Sequence, residues 1–326
     1  MQGHIYILRT IALAVLFYAL IILCLYKMES KFHLPIYNHV SMDTKIHFLK
    51  HHVDLEAADT IIIGSSLALN NINGELLEDT SSYVNNVINL SAWHMQCPQQ
   101  LPLLSKIISY GNVKRIIYPT QYLDFTGEND IEKRIIDNVF GYLNEDPFDT
   151  FYLLLRASKN LITIIDRFLR WEYFTNPNTY EYLVFDRTGG SLLDMGEHNA
   201  NPGRWGNVDE NTIAPFNEKN LTCLKKLVDL SQTHDFDFLF VIQPFRKEVI
   251  ESSLELKKIM KAFDDQTKEI LHSSNTYHIN AHDLLNLDDS NFADKSHLNT
   301  KGGNATAKKL VEIIDHISST KGKPTP

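Results

Sequence analysis

Asp59 to Leu67 constrains the fold more than any other stretch of this chain. Ile61, Ile62 and Ile63 form a continuous β-branched apolar run, which is the character of a strand buried on both faces. The run stops at Gly64, and the residues from Leu67 read as a helix extending to about Glu78. A strand that breaks at glycine straight into a helix puts its turn at the carboxyl edge of a sheet, where open α/β folds keep their sites. Ser65 and Ser66 occupy that turn beside helix N-terminal amides, which can stabilise an oxyanion. Serine is also a common N-cap, so the pair alone does not establish chemistry.

The pattern continues downstream. Tyr83–Leu90 reads as a second strand, and Ser91 to His94 as a loop. Pro98 opens a helix running to Tyr110, and Val113–Tyr118 is a third strand ended by Pro119. Strands alternating with helices of this length predict an α/β fold with a parallel sheet of about five strands. Residues 125–219 interrupt the pattern. They hold helical sequence over Pro147–Trp171, then an aromatic, turn-rich stretch with Gly189-Gly190 between two candidate hairpin strands. An insertion of this length is expected near the strand ends, where it would cap a site. The alternation resumes with helices at Glu218–Thr233 and Lys247 to about His272 and strands at Phe236–Ile242 and Thr276–Asn280. A last helix starts near Lys301 and runs to about Ser318, and a disordered tail is expected from Lys321.

Ile5 to Tyr26 carries a single charge, Arg9, and is long enough to cross a bilayer. No small-residue cleavage pattern follows it, so the segment reads as an uncleaved anchor. The resulting division is an anchor over 1–28, a connector over 29–58, an α/β domain over 59–320 and a tail over 321–326. The connector's histidines (His47, His51, His52) are expected on a solvated face. Arg9 precedes the apolar run while Lys27 and Lys31 follow it, so the positive-inside rule leaves orientation open. The net charge of −9 argues against nucleic acid as a partner. Cys97 and Cys223 could pair or stay free, and no metal-ligand spacing is present.

The loop after the last strand contains Asp294-Lys295-Ser296-His297, and Gly302-Gly303 follow near the start of the final helix. In a sheet built in this order, that loop and the turn after the first strand can open on one edge. His297 could then take a proton from a serine there while Asp294 orients the imidazole.

Taken together, these residues resemble the SGNH, or GDSL-like, hydrolase superfamily. Gly64-Ser65-Ser66 is similar to its first block, with Ser65 in place of the usual aspartate, and Asp294-x-x-His297 is similar to its last. Asn89-Leu90-Ser91 stands where block two supplies a glycine, and Tyr118-Pro119-Thr120-Gln121-Tyr122 where block three supplies an asparagine. Gly64-Ser65-Ser66, the Pro119-Thr120-Gln121-Tyr122 stretch and Ile242-Gln243-Pro244 resemble a membrane-anchored branch that has Gly-Ser-Ser, a Pro-Gln-aromatic element after the third strand and a proline after the fourth. That branch includes the D-alanyl-lipoteichoic acid biosynthesis protein and relatives of the alginate O-acetyltransferases. The resemblance covers about 59–125 and 235–318. It implies a three-layer, flavodoxin-like α/β/α fold with strand order 2-1-3-4-5 and Ser66, His297 and Asp294 as catalytic residues. It further implies an oxyanion site from the Ser66 amide with Ser91 and Gln121, and no cofactor or metal. The implied chemistry is acyl-ester transfer or hydrolysis on a cell-envelope glycan or acylated small molecule, with residues 32–326 outside the cytoplasm. The other reading is a non-catalytic accessory protein that presents a glycan or binds a membrane-bound O-acyltransferase.

Overall fold

The computed structural model describes residues 2–126, 133–169, 183–193 and 215–321. Its sheet has five parallel strands: β1 (Thr60–Ile62), β2 (Val87–Asn89), β3 (Arg115–Thr120), β4 (Asp237–Ile242) and β5 (Thr276–Asn280), in the order β2-β1-β3-β4-β5. The chain steps from β1 out to β2 and then back past β1 to β3. The switch point, where such sheets open a crevice, therefore lies at the carboxyl end of β1. Ile61 is in register with Ile88 and Ile116.

The helices are α1 (Gln2–Met28), α2 (Val40–His52), α3 (Ser66–Asn70), α4 (Gly74–Thr80), α5 (Cys97–Tyr110), α6 (Lys133–Leu143), α7 (Pro147–Ala157), α8 (Leu161–Leu169), α9 (Glu218–His234), α10 (Lys247–Glu251), α11 (Leu254–Ile270), α12 (Ala281–Leu284) and α13 (Thr300–Lys321). Side chains alternate across the pleat. Ile61, Ile116, Phe238 and Phe240 face a core shared with α2, α5, α9 and α11, while Ile62, Ile117, Leu239 and Val241 face α4 and α13. Both faces of the sheet are covered, as a parallel sheet requires.

Three departures from the expected elements have identifiable causes. β3 runs through Pro119 to Thr120 rather than ending before it. Ile117 turns its carbonyl toward Ile63 of the β1 side, so Pro119, two residues on, points its missing donor the same way. There β1 has already left the sheet at Gly64, and no ladder bond is forfeited. The helix expected from Leu67 to Glu78 is two helices, because Asn73 caps α4 by accepting from Leu76 N at 2.9 Å. Among the described residues, the Gly189-Gly190 hairpin is a turn without a ladder. Asp186 Oδ1 accepts from the amides of Thr188 and Gly190, and Leu193 bridges to Asn299 instead.

The connector is the largest correction. Of the three histidines expected on a solvated face, His52 is exposed but His47 and His51 are partly buried: α2 is packed into the core through Met42, Ile46, Phe48 and Leu49, and even Lys45 is fully buried. Burial pushes His33 down to about 3 and His47 to about 4, so both rings are neutral in the folded protein.

Among the described residues of the insertion, α6 packs on α5 and α2, and α7 packs on α1. The insertion's ends meet, since Asn217 N donates to Phe125 O at 2.6 Å. Cys97 and Cys223 form a disulfide that ties α5 to α9, settling the pairing the sequence left open. The expected tail from Lys321 falls, apart from Lys321 itself at the end of α13, outside the described residues.

Candidate active site

Gly64 makes the turn possible. Its φ of +142° is one that a side chain rarely tolerates, and a Cβ there would come within 2.7 Å of Ala68 Cβ and 2.8 Å of Pro119 O. Gln100 holds the turn from the side: its Oε1 accepts from Gly64 N at 2.7 Å and its Nε2 donates to Gly64 O. The two serines then divide the work. Ser65 is the N-cap of α3, its Oγ accepting from Leu67 N at 3.3 Å. Its own hydroxyl hydrogen bonds the Asp124 carboxylate. Ser66 is the first residue of the helix, where its amide has no carbonyl one turn back to bond.

The loop before α13 meets that turn. Ser66 Oγ lies 2.8 Å from His297 Nε2, and His297 Nδ1 lies 2.8 Å from Asp294 Oδ2. Asp294 also accepts through Oδ1 from the amides of Ser296 at 2.8 Å and His297 at 2.6 Å. A carboxylate fixed by two amides has only acceptor capacity left, so Nδ1 carries the imidazole hydrogen. Nε2 then presents a lone pair to the Ser66 hydroxyl. The three residues are joined across 231 positions of sequence by direct hydrogen bonds.

Four residues that sequence reasoning passed over hold this arrangement. Asn71 straps both sides of His297: its Nδ2 donates to Ser296 O at 3.2 Å, and its Oδ1 accepts from Leu298 N at 2.9 Å. The same Nδ2 reaches Gln243 Oε1 at 3.3 Å. Arg246 fixes the loop from β4, with N donating to Lys295 O at 2.9 Å and Nη2 contacting Asp289 Oδ2 at 2.7 Å. Gln100 clamps Gly64 as described above. Asp124 lines the pocket beside His297 and accepts from Thr120 Oγ1 at 2.9 Å and Gln121 N at 3.3 Å. Burial raises the Asp124 carboxyl above its ordinary range, opposed by the bonds from Ser65, Thr120 and Gln121. Its one sequence signal is the capping-box spacing Gln121-x-x-Asp124.

The amide donors of the expected oxyanion partners are engaged elsewhere, while the Ser91 hydroxyl is buried with no hydrogen-bond partner among the described residues. Ser91 N donates to Asn89 Oδ1 at 2.9 Å. Gln121 lines the pocket, but its Nε2 donates to Gln243 O at 3.3 Å and Pro244 O at 3.2 Å. Of the three residues expected to hold an oxyanion, Ser66 and Gln121 line the pocket and Ser91 does not. The pocket measures about 330 Å³; polar residues, among them His94, Gln96 and Thr126 with the residues above, share its wall with Leu67 and Leu123, and rather more than half of the exposed wall is apolar. Thr126 is the one described residue of the insertion on that wall, so the described helices of the insertion do not form the expected cap. The expected cap stretch from Tyr173 to Pro215 falls largely outside the described residues.

No family model matches this chain, and no curated protein is similar to it at the level searched. Among solved structures, a protein from Streptococcus pneumonia provisionally described as a platelet activating factor is similar at 14% identity. That likeness covers 93% of this chain and 99% of the other at a TM-score of 0.42.

Proposed function

We propose that the protein is a membrane-anchored serine esterase or acyltransferase of the SGNH-like type. One observation carries the reading, the unbroken line Ser66 Oγ–His297 Nε2 and His297 Nδ1–Asp294 Oδ2, each 2.8 Å, at the switch point of a parallel sheet. In the forward step His297 Nε2 takes the Ser66 proton as Oγ bonds the acyl carbon. The carbonyl electrons move onto the oxygen that the Ser66 amide faces. When they return, the alkoxide leaves with the proton from His297, and the acyl group stays on Ser66. Water or a sugar hydroxyl then repeats the sequence in reverse, giving its proton to His297 and carrying the acyl group away. Asp294 stabilises the imidazolium formed in each half.

A small pocket of about 330 Å³ favours a short acyl group over a long-chain ester. The Cys97–Cys223 disulfide fits an oxidising compartment, and α1 is long and apolar enough to cross a membrane. Those features support an acetyl-sized group on an extracytoplasmic envelope glycan, with the N-terminus in the cytoplasm. The accessory-protein reading draws on a different observation, namely that Ser91 and Gln121 donate elsewhere. A fluorophosphonate probe separates the two. An adduct mapped to Ser66, absent in Ser66→Ala, is the enzyme's outcome; no adduct on folded protein, or one on Ser65, defeats it.

A further inference from the structure

We propose that α7 and α8 are a membrane-embedded element: with α1, they lie in the outer half of the bilayer and turn their exposed side chains to lipid acyl chains. This rests on α1 crossing the membrane. Arg9 and Lys27 bracket the apolar part of α1, and Tyr18 stands midway between them. At ~1.5 Å per residue, Tyr18 lies ~13 Å from either charge, near the middle of a ~30 Å hydrocarbon layer. Tyr18 Oη is 2.5 Å from Ser158 Oγ, and Ser158 spends its own hydrogen on Leu155 O at 2.7 Å. Ser158 sits in the turn between α7 and α8, so a direct hydrogen bond brings that turn to the depth of Tyr18.

The side chains on these helices are arranged for such a medium. Phe148, Phe151, Ile162, Ile165, Phe168 and Leu169 are all exposed, Ile162 to 85% and Phe148 to 82%. The inward face of α8 carries Ile164 and the charged Arg167, which is bonded to Asp43 Oδ2 at 2.6 Å and His33 O at 3.1 Å. A water-facing helix has the opposite sense, with apolar residues inward and charges outward. The neighbouring backbone is sealed by side chains as lipid demands: Arg156 Nε donates to Ile36 O at 2.9 Å and Asn160 Nδ2 to Pro35 O at 3.1 Å. Of the exposed charges here, Glu145 and Asp146 stand at the start of α7 with Glu145 lining the groove, Lys159 has a stem long enough to reach the head groups, and Asp166 is engaged within the chain. Between α1 and α7 runs a groove of about 740 Å³ walled by Val15, Tyr18, Ile22, Phe151 and Leu154, with Glu29 and Lys50 at one end. That groove is continuous with the lipid-facing side of α1, which names its occupant as an acyl chain of the same leaflet rather than a separate protein.

The test uses the full chain with Cys24→Ser, leaving the Cys97–Cys223 disulfide unlabelled, reconstituted in phosphatidylcholine vesicles. An environment-sensitive fluorophore is placed singly at Leu16→Cys, Ile165→Cys or Lys258→Cys. Quenching is read with nitroxide on the acyl chain and with iodide in the water, and circular dichroism checks each variant's fold. Position 165 should show about half or more of the nitroxide quenching seen at 16, and position 258 iodide quenching alone. Iodide quenching without nitroxide quenching at 165, while 16 stays lipid-quenched, overturns the embedding and leaves the anchor standing. Shielding of 165 from both quenchers means another copy covers the face, and overturns it too. Absence of lipid quenching at 16 removes the anchor and the embedding together. Should Ile165→Cys fail to fold, Ile162→Cys carries the same readings.

Discussion

Asp294 and Asp43 are wired almost alike and do opposite things. Asp294 accepts two backbone amides and the His297 ring; Asp43 accepts the amides of Tyr37 at 2.7 Å and His39 at 3.1 Å and the Arg167 guanidinium. The difference lies one step further on. The far nitrogen of His297 meets a hydroxyl at the wall of an open pocket, so the proton at that junction has somewhere to go. Arg167 spends its remaining reach on a backbone carbonyl and cannot release a proton in this range. A held carboxylate therefore orients an imidazole at an open pocket in one region and is a rivet in the other.

The comparison breaks most visibly at His297. His297→Ala should lower ester turnover by about 10⁴-fold or more while the melting temperature stays near that of the wild type. Adding Asp294→Asn should cost little beyond the single change, measured as kcat on a small aryl acetate. Multiplying losses would mean the two do not serve one proton.

Arg167→Leu should do the reverse. Stranding Asp43 as a buried, unpaired carboxylate should remove about 3–5 kcal/mol of stability, read by denaturant unfolding in detergent, with turnover per folded molecule retained. The double change Arg167→Leu with Asp43→Asn should recover part of that loss, because the orphaned charge is gone.

Lys45 sharpens the same contrast through pH. Its ammonium donates to Asn89 O at 2.8 Å and to Gly189 O, and burial pulls it down to about 7. Above that pH the folded protein has lost a proton that the unfolded chain keeps until its ordinary value near 10.5. The unfolded state then binds more protons, so this group's contribution to stability rises from pH 7 toward 10. Lys45→Met should flatten that rise, and an unchanged slope in unfolding titrations would show that Lys45 is not its source.

The smallest expected effect distinguishes the adjacent serines. Ser65→Ala removes a cap and a bond to Asp124 and should cost about 10-fold in turnover, roughly 1.4 kcal/mol. Phosphonate labelling at Ser66 should persist in that variant.

The core of the fold was legible because its signals are local. A run of isoleucines, a glycine break and Asp-x-x-His each occupy a few neighbouring residues, and the sheet rules then bring them to one edge. Asn71 and Gln100 were not legible, since their partners lie far along the chain and nothing nearby marks a polar residue as a strap. Ser91 and Gln121 were placed at strand ends, yet the hydrogen bonds that spend the Ser91 amide and the Gln121 side-chain donors depend on Asn89 and on the carbonyls after β4. The connector was misread because α2 mixes histidines and Lys45 with its apolar residues, leaving no clean stripe. Helix α8 shows a related gap. It and α11 both have one apolar and one polar face, but α11 turns Leu256 and Phe263 inward and pairs Lys261 with Asp265 outside. Periodicity reports that two faces exist and is silent on which one meets the surroundings.

The hydrogen bond from Asn217 N to Phe125 O has an architectural consequence. The segment between them leaves and re-enters the sheet at almost one point, so its length is decoupled from the spacing of β3 and β4. Closing a longer or shorter loop across the same pair of ends changes the chain entropy only slowly. Material could be gained or shed there over time while the strands that position Ser66 and His297 keep their places.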